Sequence, residues 1–322
     1  MKKKLPYHLL FLLAGFLLTF VSCEKEVEIE IPGYQEQLVV DGSIELDQPP
    51  FILLSKSKDI YAPTDIQSFL GSFVSGAQVT VSDGSVKYPM IEVCTDNLPP
   101  GMEELAAEAF GLPVSELSKY HLCAYTSFDP NIFGKQGITY ELEVQYEGKT
   151  YTSSSQMLTA PVFDSVYWKA AQGLPDYGYS YVTFTDPGNT KDAYQWEVRR
   201  INTNSEGKPI DAGFTRTFNP VFDDEFINGL TFDFWYENPM SFDDESLPEE
   251  YRGYYAKGDT VVIKFSKMDQ IAFEFFEKKY VQLSSGGSPF ASPANIPGNI
   301  EGGALGIWVA LAPLYDTLVC LP

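Results

Sequence analysis

Side chains able to do chemistry are scarce in this chain. Of its 322 residues, two are histidines and four are cysteines. His8 lies within residues 1–22, which read below as a removed signal segment, and that leaves His121 as the one imidazole available to a serine or cysteine nucleophile. A catalytic triad needs that base oriented by a carboxylate and set on a nucleophile, and the favoured reading of His121 is a structural or surface residue. Histidine and cysteine do not cluster at the spacing of a zinc site. Asp223-Asp224-Glu225 followed by Asn228-Gly229 invites a calcium loop. However, taking Gly229 as loop position six puts Phe226 at position three, where an oxygen ligand is required. These acids read as solvated loops, with a calcium site of another type as the alternative. The expectation is a non-enzyme without cofactor, metal or catalytic residues.

The residues that point to binding lie between 232 and 255. Phe232, Phe234, Trp235 and Tyr236 are followed by a run of acids from Glu237 to Glu250 and then by Tyr251, Tyr254 and Tyr255. Contact surfaces are enriched in aromatics because rings supply area at low entropic cost. The candidate contact residues are Trp235, Tyr236, Tyr251, Tyr254 and Tyr255. The competing reading makes Phe232, Phe234 and Tyr236 one strand's inward face. The net charge of −22 excludes nucleic-acid binding by phosphate neutralisation.

The N-terminus says where these residues work. Lys2, Lys3 and Lys4 precede an apolar run, Leu9–Val21, which is shorter than the roughly 18 residues of a membrane span. Residues 1–22 therefore read as a signal peptide. Cys23 follows Ser22 and resembles the acylated cysteine of a bacterial lipoprotein, where chains such as palmitate anchor the protein at about 0.8 kcal/mol per buried CH₂. The acidic tether 23–36 begins Glu24-Lys25-Glu26-Val27-Glu28 and resembles the signal that carries Bacteroidota lipoproteins to the outer face of the outer membrane. Loss of Lys2, Lys3 and Lys4 with the signal takes the net charge from −22 to −25. Export also implies an oxidising compartment, where Cys94 and Cys123 would form a disulfide. Cys320 then remains as a buried small hydrophobe.

The elements that must position these residues are mostly strands. Leu38, Val40, Ile44 and Leu46 alternate with Val39, Asp41, Ser43 and Glu45, and Tyr140, Leu142, Val144 and Tyr146 alternate with Glu141, Glu143 and Gln145. Asp83-Gly84 and Glu147-Gly148 read as hairpin turns. Residues 37–158 thus predict an N-terminal Ig-like β-sandwich, interrupted at 99–122 by a helical insert with Leu105, Ala106, Ala109 and Phe110 at helical spacing. Residues 159–322 predict a second β-rich domain. Its strands lie at Tyr181–Phe184, Tyr194–Val198, 230–236 and Val261–Phe265. Its one long helix, 267–284, would be capped by Ser266 and ended by Gly286-Gly287. The fold class is mainly β: two tandem β-sandwich-like domains with one long helix and a short helical insert.

Several segments together resemble a Bacteroidota lipoprotein family known as domain of unknown function 4249. They are Leu38-Val39-Val40-Asp41-Gly42, Gly76-Ala77-Gln78-Val79, the Phe184-Thr185-Asp186-Pro187 turn, and the tail from Ser288 to Trp308. Genes of that family commonly sit beside genes for TonB-dependent transporters. The resemblance implies a lipid-anchored protein of the outer membrane and cell surface, acting as accessory or capture subunit of such a transporter. The alternative is a structural subunit of an outer-membrane assembly or secretion complex.

Overall fold

The computed structural model describes residues 34–58, 65–205, 207–285 and 295–321. The predicted signal peptide, Cys23 and most of the tether lie outside these residues, as do Gly286-Gly287 and the Ser288–Ala294 part of the family signature.

The first half contains β1 (Leu38–Glu45), β2 (Phe51–Lys56), β3 (Gln78–Ser82), β4 (Lys87–Pro89), β5 (Ile91–Cys94), β6 (Cys123–Thr126), β7 (Thr139–Tyr146) and β8 (Lys149–Gln156). The second contains β9 (Phe163–Ala171), β10 (Leu174–Thr185), β11 (Ala193–Arg200), β12 (Thr215–Asp223), β13 (Thr231–Tyr236), β14 (Tyr255–Ala256), β15 (Thr260–Met268) and β16 (Leu305–Val319). The chain is mainly β, as its alternating pattern requires: along β1 and β7 the apolar residues are buried and the residues between them are wetter. Glu147 and Gly148 both have positive φ, 49° and 75°, the geometry that matches a two-residue turn to the twist of its strands.

Eight strands form one sheet in the order β12-β11-β15-β16-β1-β2-β6-β5. Two four-stranded sheets pack on it. The sheet β4-β3-β7-β8 closes a core around Val40, Ile44, Ile52, Leu54, Leu142, Val144 and Trp308. The sheet of β9, β10, β13 and β14 closes another around Phe184, Tyr194, Trp196, Ile263, Phe265 and Cys320. Both sandwich-like layers are therefore present, but they share a sheet, and β16 is the reason. Its first half pairs in parallel with β1 and its second half antiparallel with β15. A strand from the end of the chain thus lies at the centre of the first sandwich.

Two glycines permit that insertion. A Cβ on Gly42 would meet Trp308 Cε3 at 2.9 Å, so this position admits the indole into the core. Gly306 has φ +101°, a conformation that favours glycine, and it lies directly against the Val40 backbone. Asn299 then secures the strand: its side-chain amide accepts from Trp308 N at 2.9 Å and donates to Trp308 O at 2.7 Å.

The long helix, Gln270–Ser285, covers the other face of the large sheet. Ala272, Phe273, Phe275 and Phe276 pack there on Ile307, Val309 and Leu311. Its start corrects the expected cap. Ser266 belongs to β15, where it faces Gln195 and Pro313, and Asp269 is the residue whose carboxylate accepts from Ala272 N at 2.8 Å. Met268 ends the strand, and Ile271 and Leu283 on the helix are more than half exposed. The insert forms two short helices, Glu103–Phe110 and Val114–Leu117, packed outside β2 and β6. No helix among the described residues is long and apolar enough to cross a membrane.

Candidate functional site

Strand β10 alternates Tyr177, Tyr179 and Tyr181 with Gly178, Ser180 and Val182, and the second set is buried. The tyrosines consequently stand on the outer face of the small sheet. β9 and β13 flank this strand, with Tyr167 and Trp235 directly across from Tyr181. Tyr167 stacks on Tyr181 with ring centroids 5.3 Å apart and planes 12° from parallel, and Trp235 lies 6.3 Å away on the other side. The row continues diagonally: Tyr179 lies 4.1 Å from Trp235 and 4.8 Å from Tyr254. At its end Tyr177 stacks on Tyr251 at 4.4 Å and 10°. Seven rings thus form one continuous surface outside the core, and Trp235 is 44% exposed.

Two of these pairs, Tyr167–Tyr181 and Tyr177–Tyr251, turn ring faces to one another, while Trp235 and Tyr254 meet their neighbours at 37–49°. Aromatic area beside hydrogen-bonding groups suits a protein partner that supplies apolar contacts and hydrogen-bond groups together. Burial foremost, then Tyr254 and the Glu237 charge, push Tyr179 up to about 12, and burial with Asp233 raises Tyr167. Lys169 lies 5.7 Å from the Tyr181 ring centroid. Asp233 accepts from Tyr167 at 3.2 Å and from Thr183 at 2.7 Å, which gives the row a polar border.

Of the five expected contact residues, Trp235, Tyr251 and Tyr254 are on this surface. Tyr236 and Tyr255 are not. Tyr236 points inward with Phe232 and Phe234 and lies 5.1 Å from Trp196, and Tyr255 is fully buried. β13 therefore divides its aromatics between its two faces. Tyr167, Tyr177, Tyr179 and Tyr181 are the rings of this surface that the sequence reading missed. The alternation Tyr177-Gly178-Tyr179-Ser180-Tyr181 was the signal for them.

The other candidates resolve into structural roles. Cys94 and Cys123 are cross-strand partners joined as a disulfide. His121 is exposed, with Nδ1 2.9 Å from Asp96 Oδ2 and Nε2 3.5 Å from Cys123 Sγ. The sulfur facing this imidazole is therefore in a disulfide and is no free nucleophile. Asp224 joins Asp186 and Asp192 in a buried group whose carboxylate oxygens lie within 4.8 Å of one another. These oxygens have internal partners: Tyr194 donates to Asp186 at 2.6 Å, Lys267 pairs with Asp192 at 2.6 Å, and Asp192 N and Asn228 bind Asp224. The cluster fixes the Phe184–Pro187 turn to β11 and to the loop after β12. Cys320 is buried in the second core, which pushes its thiol up to about 12.

A sequence model of the family described as Domain of unknown function (DUF4249) matches residues 24–312. No curated protein matches the chain.

Proposed function

The chain belongs to the family described as Domain of unknown function (DUF4249), and from that premise we propose that it is a non-enzymatic, lipid-anchored accessory of a TonB-dependent outer-membrane transporter at the cell surface. The row of seven aromatic rings on the outer face of the second sandwich carries this reading, as the surface that docks on the partner protein. Its acidic border, with Asp233 and Glu237 beside the rings and Glu249 and Glu250 next to Tyr251, favours a partner with basic groups around an apolar centre. The anchor is Cys23, and the signal peptide and acidic tether support export to the outer face. The aromatic surface also suits the second reading, a subunit of an outer-membrane assembly or secretion complex. Both readings make the same surface a protein contact.

The experiment is a pull-down of the tagged protein from gently solubilised outer membranes, run beside Trp235→Ala/Tyr251→Ala/Tyr254→Ala. Buried aromatic anchors dominate contact energies, at about 2 kcal/mol or more for the strongest, so the folded triple variant should retain less than about one thirtieth of the wild-type affinity. A single transporter barrel in the wild-type eluate supports the accessory reading, and a set of assembly components supports the second. Equal recovery of one partner by wild type and folded variant would refute the aromatic surface as the contact.

A further inference from the structure

We propose that the cavity beneath the helical insert binds a small, uncharged or cationic apolar molecule, about the size of two fused aromatic rings or a ten-carbon chain. The cavity measures about 290 Å³ and lies between the helix Glu103–Phe110 and the outer face of β2, β5 and β6. Its walls include Phe51, Val93, Leu98, Met102, Ala106 and Phe110. Leu105 and Phe128 border it, and each is 54% exposed although large and apolar. Protein interiors contain few voids larger than a water molecule, and an apolar cavity of about 150 Å³ accepts benzene. This volume, near the lower end for ligand pockets, sets the size of the occupant.

A loose helix would settle onto the sheet and close such a space, but this one is fixed from outside the cavity. The disulfide Cys94–Cys123 ties β5 to β6 at the base of the insert. Above it Thr95 N donates to Leu122 O at 2.9 Å, Leu122 N donates to Thr95 Oγ1 at 3.1 Å, and Thr95 Oγ1 donates to Tyr120 O. Phe110, Leu112, Leu117 and Leu122 then pack with Leu70. The walls are thus held in place without a ligand, and that lowers the cost of binding. Met102 adds an adaptable side chain.

Charge selects the occupant. Among the described residues that line the cavity, Glu45 is the one charged group, and there is no base. The Glu45 carboxylate is engaged by Lys264 at 2.6 Å and Tyr315 at 3.3 Å, and Lys264 is shared with Glu197 at 3.3 Å. An anionic head would therefore find no unshared cation at the mouth, and the chain as a whole carries −22.

The test is a fluorescence titration of the purified protein with 1-naphthylamine, a neutral probe of two fused rings, and with its anionic relative 5-aminonaphthalene-1-sulfonate. Saturable one-to-one binding of the neutral probe is expected, at least tenfold tighter than the sulfonate. Ala106→Phe and Ala109→Phe, which fill the cavity, should each weaken it tenfold or more while melting cooperatively. Amide shifts induced in the wild-type protein should centre on Val93, Met102 and Phe128. This last readout decides the matter even where both filled variants misfold. Non-saturable binding, tighter binding of the sulfonate, unchanged affinity in a folded filled variant, or shifts centred elsewhere would each overturn the site.

Discussion

Replacing Lys264 by Met tests both the electrostatics of the large sheet and the claim that the two sandwiches share it. Lys264 on β15 reaches Glu45 on β1 at 2.6 Å and Glu197 on β11 at 3.3 Å, so a single ammonium links strands from both halves of the chain. Lys264 and Glu197 are 8% and 7% exposed. Burial pulls the lysine down, but Glu197 and Glu45 outweigh it and hold Lys264 above the ordinary lysine range. The sign follows: its stabilisation is complete below the unfolded pKa of about 10.4 and is lost only as pH rises through the higher folded value. At neutral pH Lys264→Met leaves two carboxylates facing each other with their shared cation gone. Losing one partner of a buried ion pair costs about 3–5 kcal/mol, or roughly 4–7 °C in Tm for a chain of this length.

The assay is urea and thermal unfolding followed by fluorescence, with Trp308 as the reporter in the first core and Trp196 in the second. Each reporter is kept in a variant lacking the other tryptophans. Both should report one transition at one midpoint, because unfolding of either sandwich strips β16 from the other. Adding Glu197→Leu to Lys264→Met should restore part of the loss by removing the repulsion, although Glu197 also gives up Arg216 at 3.6 Å. A loss under about 1 kcal/mol, well below the buried-pair range, would refute the electrostatic argument. Separate midpoints for the two reporters would refute the shared sheet as a cooperative unit.

Three further outcomes are expected. Gly42→Val should lose about 1–3 kcal/mol by overpacking, since its Cβ would meet Trp308 at 2.9 Å, and Trp308→Leu in the same chain should recover part of that; denaturant melts decide. Removing the disulfide with Cys94→Ser/Cys123→Ser opens a loop of sequence separation 29, worth about 3–4 kcal/mol by loop entropy, with hydrogen exchange rising first in residues 99–122. Asp186 is raised mainly by burial, with the Asp192 and Asp224 charges adding to it. The folded state therefore holds that proton more tightly, and stability referenced to Asp186→Asn should fall as pH rises from about 4, the unfolded value, through the folded pKa and level off above it. A difference curve rising over that interval would contradict the assignment.

What the sequence made legible was whatever is encoded within a few residues. The alternation of Leu38–Leu46 and of Tyr140–Tyr146, the Glu147-Gly148 turn and the helical spacing of Leu105–Phe110 all produce the elements expected of them. The helix start failed locally. Ser266 and Asp269 both look like caps, and the β-branched run Val261-Val262-Ile263 extends its strand through Ser266 to Met268, leaving Asp269 as the first residue free to cap. The contact surface was half legible for a related reason. Along Thr231–Tyr236 the period-2 alternation places Phe232, Phe234 and Tyr236 on one face and Thr231, Asp233 and Trp235 on the other, so the competing reading of this strand was the right one, and grouping Tyr236 with Trp235 put aromatic composition ahead of that alternation.

The role of β16 was beyond any local pattern, and it changes how the molecule can respond to binding. Trp308 packs beside Gly42, more than 260 residues away in sequence, and donates its indole N–H to Tyr140 O at 3.0 Å. Four residues on, Ala312 faces Lys267, which pairs with Asp192 beneath the second sandwich. Burial on both faces makes the middle of β16 read as a continuous apolar run, which fits a core strand of either sandwich equally well. Since one strand serves both cores, a tilt of the second sandwich relative to the first must bend β16 or break its pairing with β1 or β15. Packed elements shift between discrete arrangements more readily than they deform. The aromatic row and the cavity under the insert consequently sit on a single rigid frame, and binding at the row should leave the affinity of the neutral probe for the cavity unchanged.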